Sequence, residues 1–205
     1  MKVALATRNK GKIAELEKAL RGYGLEPVFL LDLPDMQEPE ETGVTFAENA
    51  LIKARAMAQA TGLPALADDS GLMVEALGGA PGVYSARFAD DWQFLPGESR
   101  DARNIRKLLH LMYSKKPKDR SCKFVTVMAC VLPDGKELTA AGEWAGYLLK
   151  EPLGTNGFGY DPVFLDLELG KSAAQLTEAE KNMRSHRGKA CRELLAKLPQ
   201  FFKGL

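Results

Sequence analysis

The strongest constraint on the fold is a nearly continuous apolar run at residues 122–132, which reads CKFVTVMACVL. The run is rich in β-branched residues, and this pattern predicts a strand that is buried on both faces. Pro133, Asp134 and Gly135 predict a turn, and the segment ELTAAGEWAGYLL that follows predicts a second strand pairing antiparallel with the first.

Apolar segments and helical patterns alternate before this hairpin. The segment KVALA at residues 2–6 predicts a strand, and a helical pattern follows it. A capping box formed by Thr45 and Glu48 predicts the start of a second helix. The helical period places Asn49 and Lys53 on one face of that helix.

The remaining segments complete the predicted fold. Residues 63–71, LPALADDSG, predict a second short strand that ends at two carboxylates. Ser99 is a plausible cap for a third helix. The last segment predicts a single helix that begins at Thr177 and buries Met183 in its apolar stripe. Strands alternating with helices predict an α/β domain with a mixed sheet.

The composition describes one ordinary domain over residues 1–205, with 45% hydrophobic and 27% charged residues. The 28 Lys and Arg against 27 Asp and Glu give a formal net charge of +1, which argues against a nucleic-acid polymer or an anionic membrane as partner. The three cysteines have no Cys-x-x-Cys spacing, which predicts buried free thiols in a reducing compartment. No signal peptide or membrane-spanning run is recognisable, so we expect a cytoplasmic location.

Residues 7–12, TRNKGK, lie between the first predicted strand and its helix. Backbone N–H groups at a helix N-terminus favour an anion, and Lys10 and Lys12 add positive charge. The spacing of a Walker A loop is absent, and polar turns bearing lysine are common at strand ends. By itself the segment is therefore a weak signal for phosphate binding.

Two acidic segments supply candidate metal ligands: Glu38, Glu40 and Glu41 in the first, and Asp68 and Asp69 in the second. Proteins hold Mg²⁺ through one or two carboxylates while substrate phosphates fill other positions. The first segment could equally be solvated, or complement the dipole of the helix that follows it. The second segment follows an apolar strand, where α/β proteins place ligands, and this location favours function.

The segment GTNGFGYDPVFL at residues 154–165 lacks the spacing of a dinucleotide loop and runs into a β-like segment. A plain turn is one explanation. The other is a base site, because Phe158 and Tyr160 could offer a flat aromatic surface beside exposed backbone donors. Residues 181–188 concentrate donors, including His186, near one helical face, which could be a ligand site or a solvated basic surface.

Six segments between residues 5 and 190 occur in the order of a known family: LATRNKGK, EETGVTFAENALIKA, ADDSGL, LGGAPGVYSAR, EPLGTNGFGYDPVF and SHRGKA. Together they resemble the inosine triphosphate pyrophosphatase family, specifically its bacterial-type enzymes. The resemblance covers nearly the whole chain. It implies hydrolysis of ITP, dITP and XTP to the monophosphate and pyrophosphate, which keeps non-standard purines out of DNA and RNA.

The resemblance also implies roles for individual residues. Asp69 would be the carboxylate that abstracts a proton, and Mg²⁺ would be held by Asp69 together with Glu40 or Glu41. Ser70 would lie beside the substrate, and Lys53 would add positive charge at the phosphates. The other implied substrate contacts are Thr7, Arg8, Asn9, Lys10, Gly11 and Lys12 on the phosphate side, and Phe158, Gly159, Tyr160, Asp161, Lys181, His186 and Arg187 chiefly at the base.

The fold implied by the resemblance is an elongated mixed α/β sheet flanked by helices, with two lobes and a central substrate cleft, in a homodimer. This chain departs from the family at Arg8, where Gly is common, and at residues 90–100, which look longer than the usual connection. One alternative is a pyrophosphatase of different base preference. A nucleotide-binding regulator without turnover would not need carboxylates at Glu41, Asp68 and Asp69, and a two-carboxylate glycosidase leaves the lysine loop unexplained.

Overall fold

The chain forms a mixed sheet with helices alongside it in a computed structural model that describes residues 1–33 and 36–203. The strands are β1 (Lys2–Leu5), β2 (Glu26–Phe29), β3 (Ala65–Val74), β4 (Ser121–Val131), β5 (Glu137–Leu148), β6 (Phe164–Asp166) and β7 (Lys171–Ser172). The helices are α1 (Lys10–Gly22), α2 (Phe46–Thr61), α3 (Arg100–Leu111), α4 (Glu178–Arg184) and α5 (His186–Phe201). The predicted α/β class is confirmed.

The seven strands lie in the order β2-β1-β3-β4-β5-β6-β7. The first part is parallel, because Leu5 of β1 pairs in parallel with Phe29 of β2 and with Leu66 of β3. The last part is antiparallel, because β6 pairs in that sense with both β5 and β7. The predicted mixed sheet is therefore confirmed, with α1 as the crossover between the parallel strands β1 and β2.

Local capping sets the starts of three helices as predicted. Thr45 and Glu48 form a reciprocal capping box at α2, and Thr177 and Glu180 form another at α4. The Ser99 side chain accepts a hydrogen bond from the first turn of α3. Each cap satisfies backbone N–H groups that the helix itself leaves unpaired.

The chain divides into two compact units, each made of discontinuous segments. Unit 1 contains Met1–Asp69, Thr126–Gly142 and His186–Leu205. Unit 2 contains Ser70–Val125 and Glu143–Ser185.

The core of unit 1 lies on both faces of its strands. Val3 and Leu5 pack in one cluster with apolar residues of α1 and α5, whereas Ala4 and Ala6 pack in another with α2. Successive strand residues point to opposite faces, so both faces of β1 are covered by helices. The same alternation distributes β4 residues 128–131 between the two clusters, which accounts for the unbroken apolar run in the sequence.

The core of unit 2 is centred on aromatic side chains. Phe164 lies between Phe124 and Trp144, with ring centroids 4.6 Å from each. Leu72 and Ile105 belong to the same buried cluster, which joins residues of β3 and α3 to the aromatic strands. Such aromatic contacts stabilise beyond the area they bury.

Two sequence expectations are wrong. The strand predicted to end at Asp68 and Asp69 continues to Val74. The single C-terminal helix is broken at Ser185, whose backbone is extended with φ −65° and ψ 155°. Because the break changes the phase of the helical stripe, Met183 is exposed rather than buried.

The cysteine prediction is confirmed, since Cys122, Cys130 and Cys191 are all free and buried. Burial raises the pKa of the first two thiols to about 12 and that of Cys191 to about 11. In the part of the chain that the structure describes, no helix combines the length and the apolarity needed to span a membrane.

Candidate functional site

The predicted anion loop connects β1 to α1. Asn9 caps the helix, because its side-chain oxygen accepts the N–H of Lys12 at 3.1 Å. The Thr7 hydroxyl accepts the N–H of Asn9 at 3.2 Å, which holds the turn. Thr7 is buried, Gly11 is half-buried and Lys10 is exposed. The N-terminus of this 13-residue helix therefore offers the positive dipole end expected of an anion site.

Asp68 and Asp69 lie in β3, just beyond the residues that pair with β1. That pairing covers Ala65 and Leu66. Leu66 belongs to the cluster of α1 and α5, whereas Ala65 belongs to the cluster of α2. Because side chains alternate along a strand, Asp68 lies on the same face as Leu66, toward α1 and α5. Asp69 lies on the opposite face, toward α2. Two neighbouring carboxylates thus meet different partners.

Asp69 is held by two residues of α2. The Asn49 side-chain amide donates to Asp69 Oδ2 at 3.1 Å. Lys53 Nζ lies 3.5 Å from Asp69 Oδ1 and 2.8 Å from Glu41 Oε1. Asn49 also accepts the N–H of Gly43 at 2.8 Å, which ties the loop that carries Glu41 to the same helix.

Burial governs the protonation of this group. It raises the pKa of Asp69 above its ordinary value, although the nearby Lys53 opposes the shift. Burial alone would lower the pKa of Lys53, but the charges of Asp69, Asp68 and Glu41 raise it. Asp69 is therefore a stronger base than an exposed aspartate, and it lies beside a lysine that stays charged.

Asp68 forms a separate group with α1 and α5. Its Oδ2 lies 3.1 Å from Lys12 Nζ and accepts from Arg187 Nε at 3.2 Å. Arg187 is buried, and its Nη1 also donates to Glu15 at 2.6 Å. Among residues 1–33 and 36–203, Asp68 Oδ1 is buried with no hydrogen-bond partner.

The cations of this group keep Asp68 ionised. Burial would raise the pKa of Asp68, but Lys12, Arg187 and Lys53 hold it well below the usual range of a carboxyl. Burial lowers the pKa of Lys12, while Asp68 partly restores it. Asp68 is therefore a fixed anion that anchors Lys12 and Arg187, in contrast to Asp69.

The donor set fits a divalent metal ion that binds together with a phosphorylated ligand. Glu41 and Asp69 already converge on one cation, the Lys53 ammonium group. Glu40, the other predicted ligand, is exposed. In the described part of the chain, no group of three or more His, Cys, Asp or Glu side chains could hold a metal alone. Two carboxylates suffice for Mg²⁺ when phosphates complete its shell.

The predicted base loop is in unit 2 and is held by Asp161. One carboxylate oxygen, Oδ2, accepts the N–H of Phe158 at 2.9 Å and contacts Lys181 Nζ at 2.7 Å. Lys181 Nζ also lies 5.0 Å from the centre of the Phe158 ring. Gly157 has φ +77°, and a Cβ there would clash with Asp161 Oδ2, so this position requires glycine.

The two aromatic side chains of the loop have different environments. Phe158 is half-buried, and it lines a cavity of about 430 Å³ together with the first turn of α3. Tyr160 is 4% exposed, belongs to the core of unit 2 and donates its hydroxyl to the Ser85 carbonyl at 2.9 Å. The predicted aromatic surface is therefore reduced to Phe158, because the hydrophobic core takes up the Tyr160 ring.

The other predicted residues lie at separate points of the chain. Arg8 is exposed and donates to the Met36 carbonyl at 2.8 Å. Ser70 is half-buried in β3. Ser185 and His186 are both buried, the first at the helix break and the second at the start of α5.

Sequence reasoning missed two residues of unit 1 as members of the site, Asn49 and Glu15. A signal existed for Asn49, because it shares a helical face with Lys53 and both contact Asp69. Glu15 had no such signal, since its partner Arg187 is 172 positions away in the sequence.

The arrangement in unit 1 combines the parts that phosphoryl chemistry requires. Positive charges and a helix N-terminus can hold phosphates, and a raised-pKa carboxylate can accept a proton from water. The pKa of Asp69 is raised and that of Asp68 is lowered. Asp69 can therefore serve as the base while Asp68 remains an ionised anchor.

Comparisons with known proteins agree with this chemistry. Residues 3–197 match the Ham1 family. A dITP/XTP pyrophosphatase of Nitratidesulfovibrio vulgaris is 54% identical over 202 residues, which cover 98% of each chain. A dITP/XTP pyrophosphatase of Escherichia coli is 46% identical over 196 residues, which cover 95% of this chain and 96% of that one.

Solved structures are also similar over nearly the full length. A HAM1 protein of Coxiella burnetii superimposes with a TM-score of 0.86 at 40% identity, covering 98% of this chain and 99% of that one. A nucleoside-triphosphatase / dITP/XTP pyrophosphatase of Mycobacterium abscessus gives a TM-score of 0.74 at 43% identity, covering 98% of this chain and 100% of that one. With matches of this extent in both sequence and fold, the chain belongs to the Ham1 family.

Proposed function

We propose that this chain hydrolyses the non-standard purine nucleoside triphosphates ITP, dITP and XTP to the nucleoside monophosphate and pyrophosphate. The observation that carries the proposal is the convergence of Glu41, Lys53 and Asp69 in the unit that also carries the anion loop with Lys12. The names of the relatives in Nitratidesulfovibrio vulgaris and Escherichia coli support it. This activity would remove nucleotides that are otherwise misincorporated into DNA and RNA.

The triphosphate is proposed to bind at residues 7–12 and Lys53. The α1 N-terminus supplies a positive dipole end, and Lys12 and Lys53 supply charge against the phosphate oxygens. Ser70 follows Asp69 directly in β3 and is proposed to contact the substrate. These groups hold the phosphates before reaction, so they contribute by positioning and by electrostatic stabilisation.

Asp69 is proposed to accept a proton from the attacking water. Asn49 and Lys53 fix the direction of the Asp69 carboxylate, and burial makes it more basic. The water oxygen bonds to the α-phosphorus as the bond to the bridging oxygen breaks, and pyrophosphate leaves. A divalent cation held by Glu41 and Asp69 supplies neutralisation of phosphate charge when it is bound.

Base selection is proposed to rest on donors that meet the 6-oxygen of hypoxanthine or xanthine. The predicted donors are the backbone of residues 158–161 and the side chains of Lys181, His186 and Arg187. Within that backbone the N–H groups of Phe158 and Gly159 already donate to Asp161 and Asp101, so the proposal depends chiefly on the side chains. Adenine has an amino group at position 6, which would leave such donors unpaired. A site built for a polar partner can reject the wrong group by about 10⁴-fold, so ATP should be a poor substrate.

We further propose Mg²⁺ as the cation, a homodimer as the assembly and a cytoplasmic location. A single two-lobed domain with a substrate cleft also stays part of the proposal. These features follow from the family resemblance and from the two-carboxylate donor set formed by Glu41 and Asp69.

The decisive experiment is a panel of nucleoside triphosphates hydrolysed with Mg²⁺ in ¹⁸O-labelled water. We expect ITP, dITP and XTP to give pyrophosphate and labelled monophosphate, because attack at the α-phosphorus transfers the water oxygen there. Orthophosphate as the first product, or ATP hydrolysed as efficiently as ITP, would contradict the proposal. Binding of ITP without turnover would support a regulator instead.

The role of Asp69 is tested with the variant Asp69→Asn, and Asp134→Asn is its matched control. The first should reduce kcat by about 100-fold or more, the usual contribution of a general base. The second removes an exposed carboxylate paired with Lys136 and should leave kcat unchanged. Equal melting temperatures would show that Asp69→Asn acts on chemistry.

A further inference from the structure

Asp101 lies in the first turn of α3 and contacts a distant part of unit 2. An acidic residue at this position is commonly explained by the helix dipole. The carboxylate also forms a tertiary hydrogen bond, since Asp101 Oδ2 accepts the backbone N–H of Gly159 at 2.7 Å. The two residues are 58 positions apart.

The contact adds a second hydrogen bond to a loop that is already held by an internal one. The N–H of Phe158 donates to Asp161, and the next N–H, that of Gly159, donates to Asp101. These two successive N–H groups point to different carboxylates, and the backbone of Gly159 is in the left-handed region, with φ +61°, which favours glycine there. The Phe158 ring thus projects from a backbone held between two anions.

The same contact lies on the wall of the cavity in unit 2. Asp101, Phe158 and Gly159 all line that space, with a volume of about 430 Å³. Ligand pockets commonly fall between about 300 and 1,000 Å³. A shift of the loop away from α3 would therefore change both the position of the Phe158 ring and the shape of the cavity.

We propose that Asp101 is a positioning residue for base recognition, which sets the Phe158–Gly159 backbone through its hydrogen bond to Gly159. This inference rests on the proposed function, because it assumes that the loop contacts the purine. Asp101 itself need not touch the substrate. Its removal should weaken recognition of the base while leaving Asp69 and the phosphate groups of unit 1 intact.

The test compares Asp101→Ala, Asp101→Ser and Asp101→Asn. Alanine has no acceptor and serine is too short to reach Gly159, whereas asparagine keeps an acceptor of the same length. For the first two variants we expect KM for ITP to rise on the order of 10-fold, as when a hydrogen bond to a charged group is lost. Turnover should stay within about twofold, and Asp101→Asn should lie close to the wild type, since an amide oxygen still accepts.

Two further measurements distinguish a positioning role of Asp101 from a nonspecific effect of removing a carboxylate near α3. The affinity for IMP, measured by calorimetry, tests recognition of the base in a ligand that has no triphosphate. We expect this affinity to fall in the same variants in which KM for ITP rises. Asp91→Ala is the matched control, because it removes a different carboxylate, paired with Lys107 of α3 at 2.6 Å. It should leave KM, kcat and IMP affinity unchanged.

The outcomes are distinguishable. If the wild type neither hydrolyses ITP nor binds IMP, the proposed function fails. If the wild type does both, and Asp101→Ala and Asp101→Ser match it, the positioning role is wrong. The role is equally contradicted if Asp101→Asn is as impaired as Asp101→Ala, or if Asp91→Ala gives the same change in KM.

Discussion

At the scale of single residues, the main feature is that adjacent aspartates have opposite properties. Burial raises the pKa of Asp69, whereas Asp68 is held ionised by Lys12 and Arg187. The difference arises because consecutive strand residues face opposite sides of β3. One sequence motif therefore supplies a candidate base and a fixed anchor.

Replacement of Asn49 by alanine should reduce turnover. Asn49 is fully buried and donates to Asp69 while accepting from Gly43, so it orients the base and holds the Glu41 loop. Loss of a partner that orients an active group commonly lowers activity by about 10- to 100-fold. The measurement is kcat for ITP alongside the melting temperature.

The control for this prediction is Arg55→Ala on the same helix. Arg55 forms an exposed ion pair with Glu137. Its kcat should equal that of the wild type. A folded Asn49→Ala protein with unchanged kcat would rule out the orienting role.

At the scale of elements, the carboxylate of Asp166 joins three parts of unit 2. It accepts from the Trp144 indole of β5 at 2.9 Å and from the Arg184 guanidinium of α4 at 2.6 and 3.1 Å. It also accepts the N–H groups of Glu168 and Leu169, both at 2.9 Å, in the turn after β6. A short strand is thereby connected to a longer strand and to a helix.

Asp166 should contribute stability that disappears in acid. Burial would raise the pKa of Asp166, but its bonds to Arg184, Leu169 and Trp144 lower it below the ordinary value. A carboxyl whose pKa is lower in the folded state stabilises the protein at pH values above its unfolded-state pKa, which is about 3.9 for aspartate. That contribution is lost as the pH falls below this value. Asp166→Asn should therefore lower the melting temperature at pH 7, and the difference from the wild type should shrink toward pH 3.

The expected size follows from hydrogen bonds to a charged group. A loss of about 2 kcal/mol corresponds to roughly 4 to 8 °C in a chain of this length. Thermal unfolding of both proteins between pH 7 and pH 3 provides the measurement. A difference that stays constant over this range would show that the charge of Asp166 is not responsible.

At the scale of the whole molecule, the chain forms two compact units that share strands. Residues of β3, β4 and β5 are divided between unit 1 and unit 2. Because each of these strands is continuous, we expect the units to unfold in one transition. The buried cysteines can report this, since Cys130 and Cys191 belong to unit 1 and Cys122 belongs to unit 2.

The native protein should not react with a thiol reagent at pH 8, and denaturant should expose all three thiols together. The thiolate is the reactive form, and burial raises the pKa of these cysteines to between about 11 and about 12. Tyr113→Cys is a positive control, because Tyr113 is 91% exposed. Labelling of Cys122 at a lower denaturant concentration than Cys130 and Cys191 would show that the units unfold separately.

The local features of this protein could be predicted from its amino-acid sequence. The capping boxes at Thr45 and Thr177 and the cap at Ser99 were predictable, because their bonds join residues about three positions apart. The apolar run at 122–132 predicted a strand with two buried faces, since burial on both sides removes the polar alternation. The order of motifs also identified the family.

Long-range packing determines which side chains contact one another. Asp68 contacts Arg187 across 119 positions, and which partner each aspartate finds depends on the faces of β3 and the helices that cover them. Tyr160 is buried in the core of unit 2, and the helix break at Ser185 falls at the last residue of a unit 2 segment. Such outcomes depend on long-range packing, which no local spacing of residue types encodes.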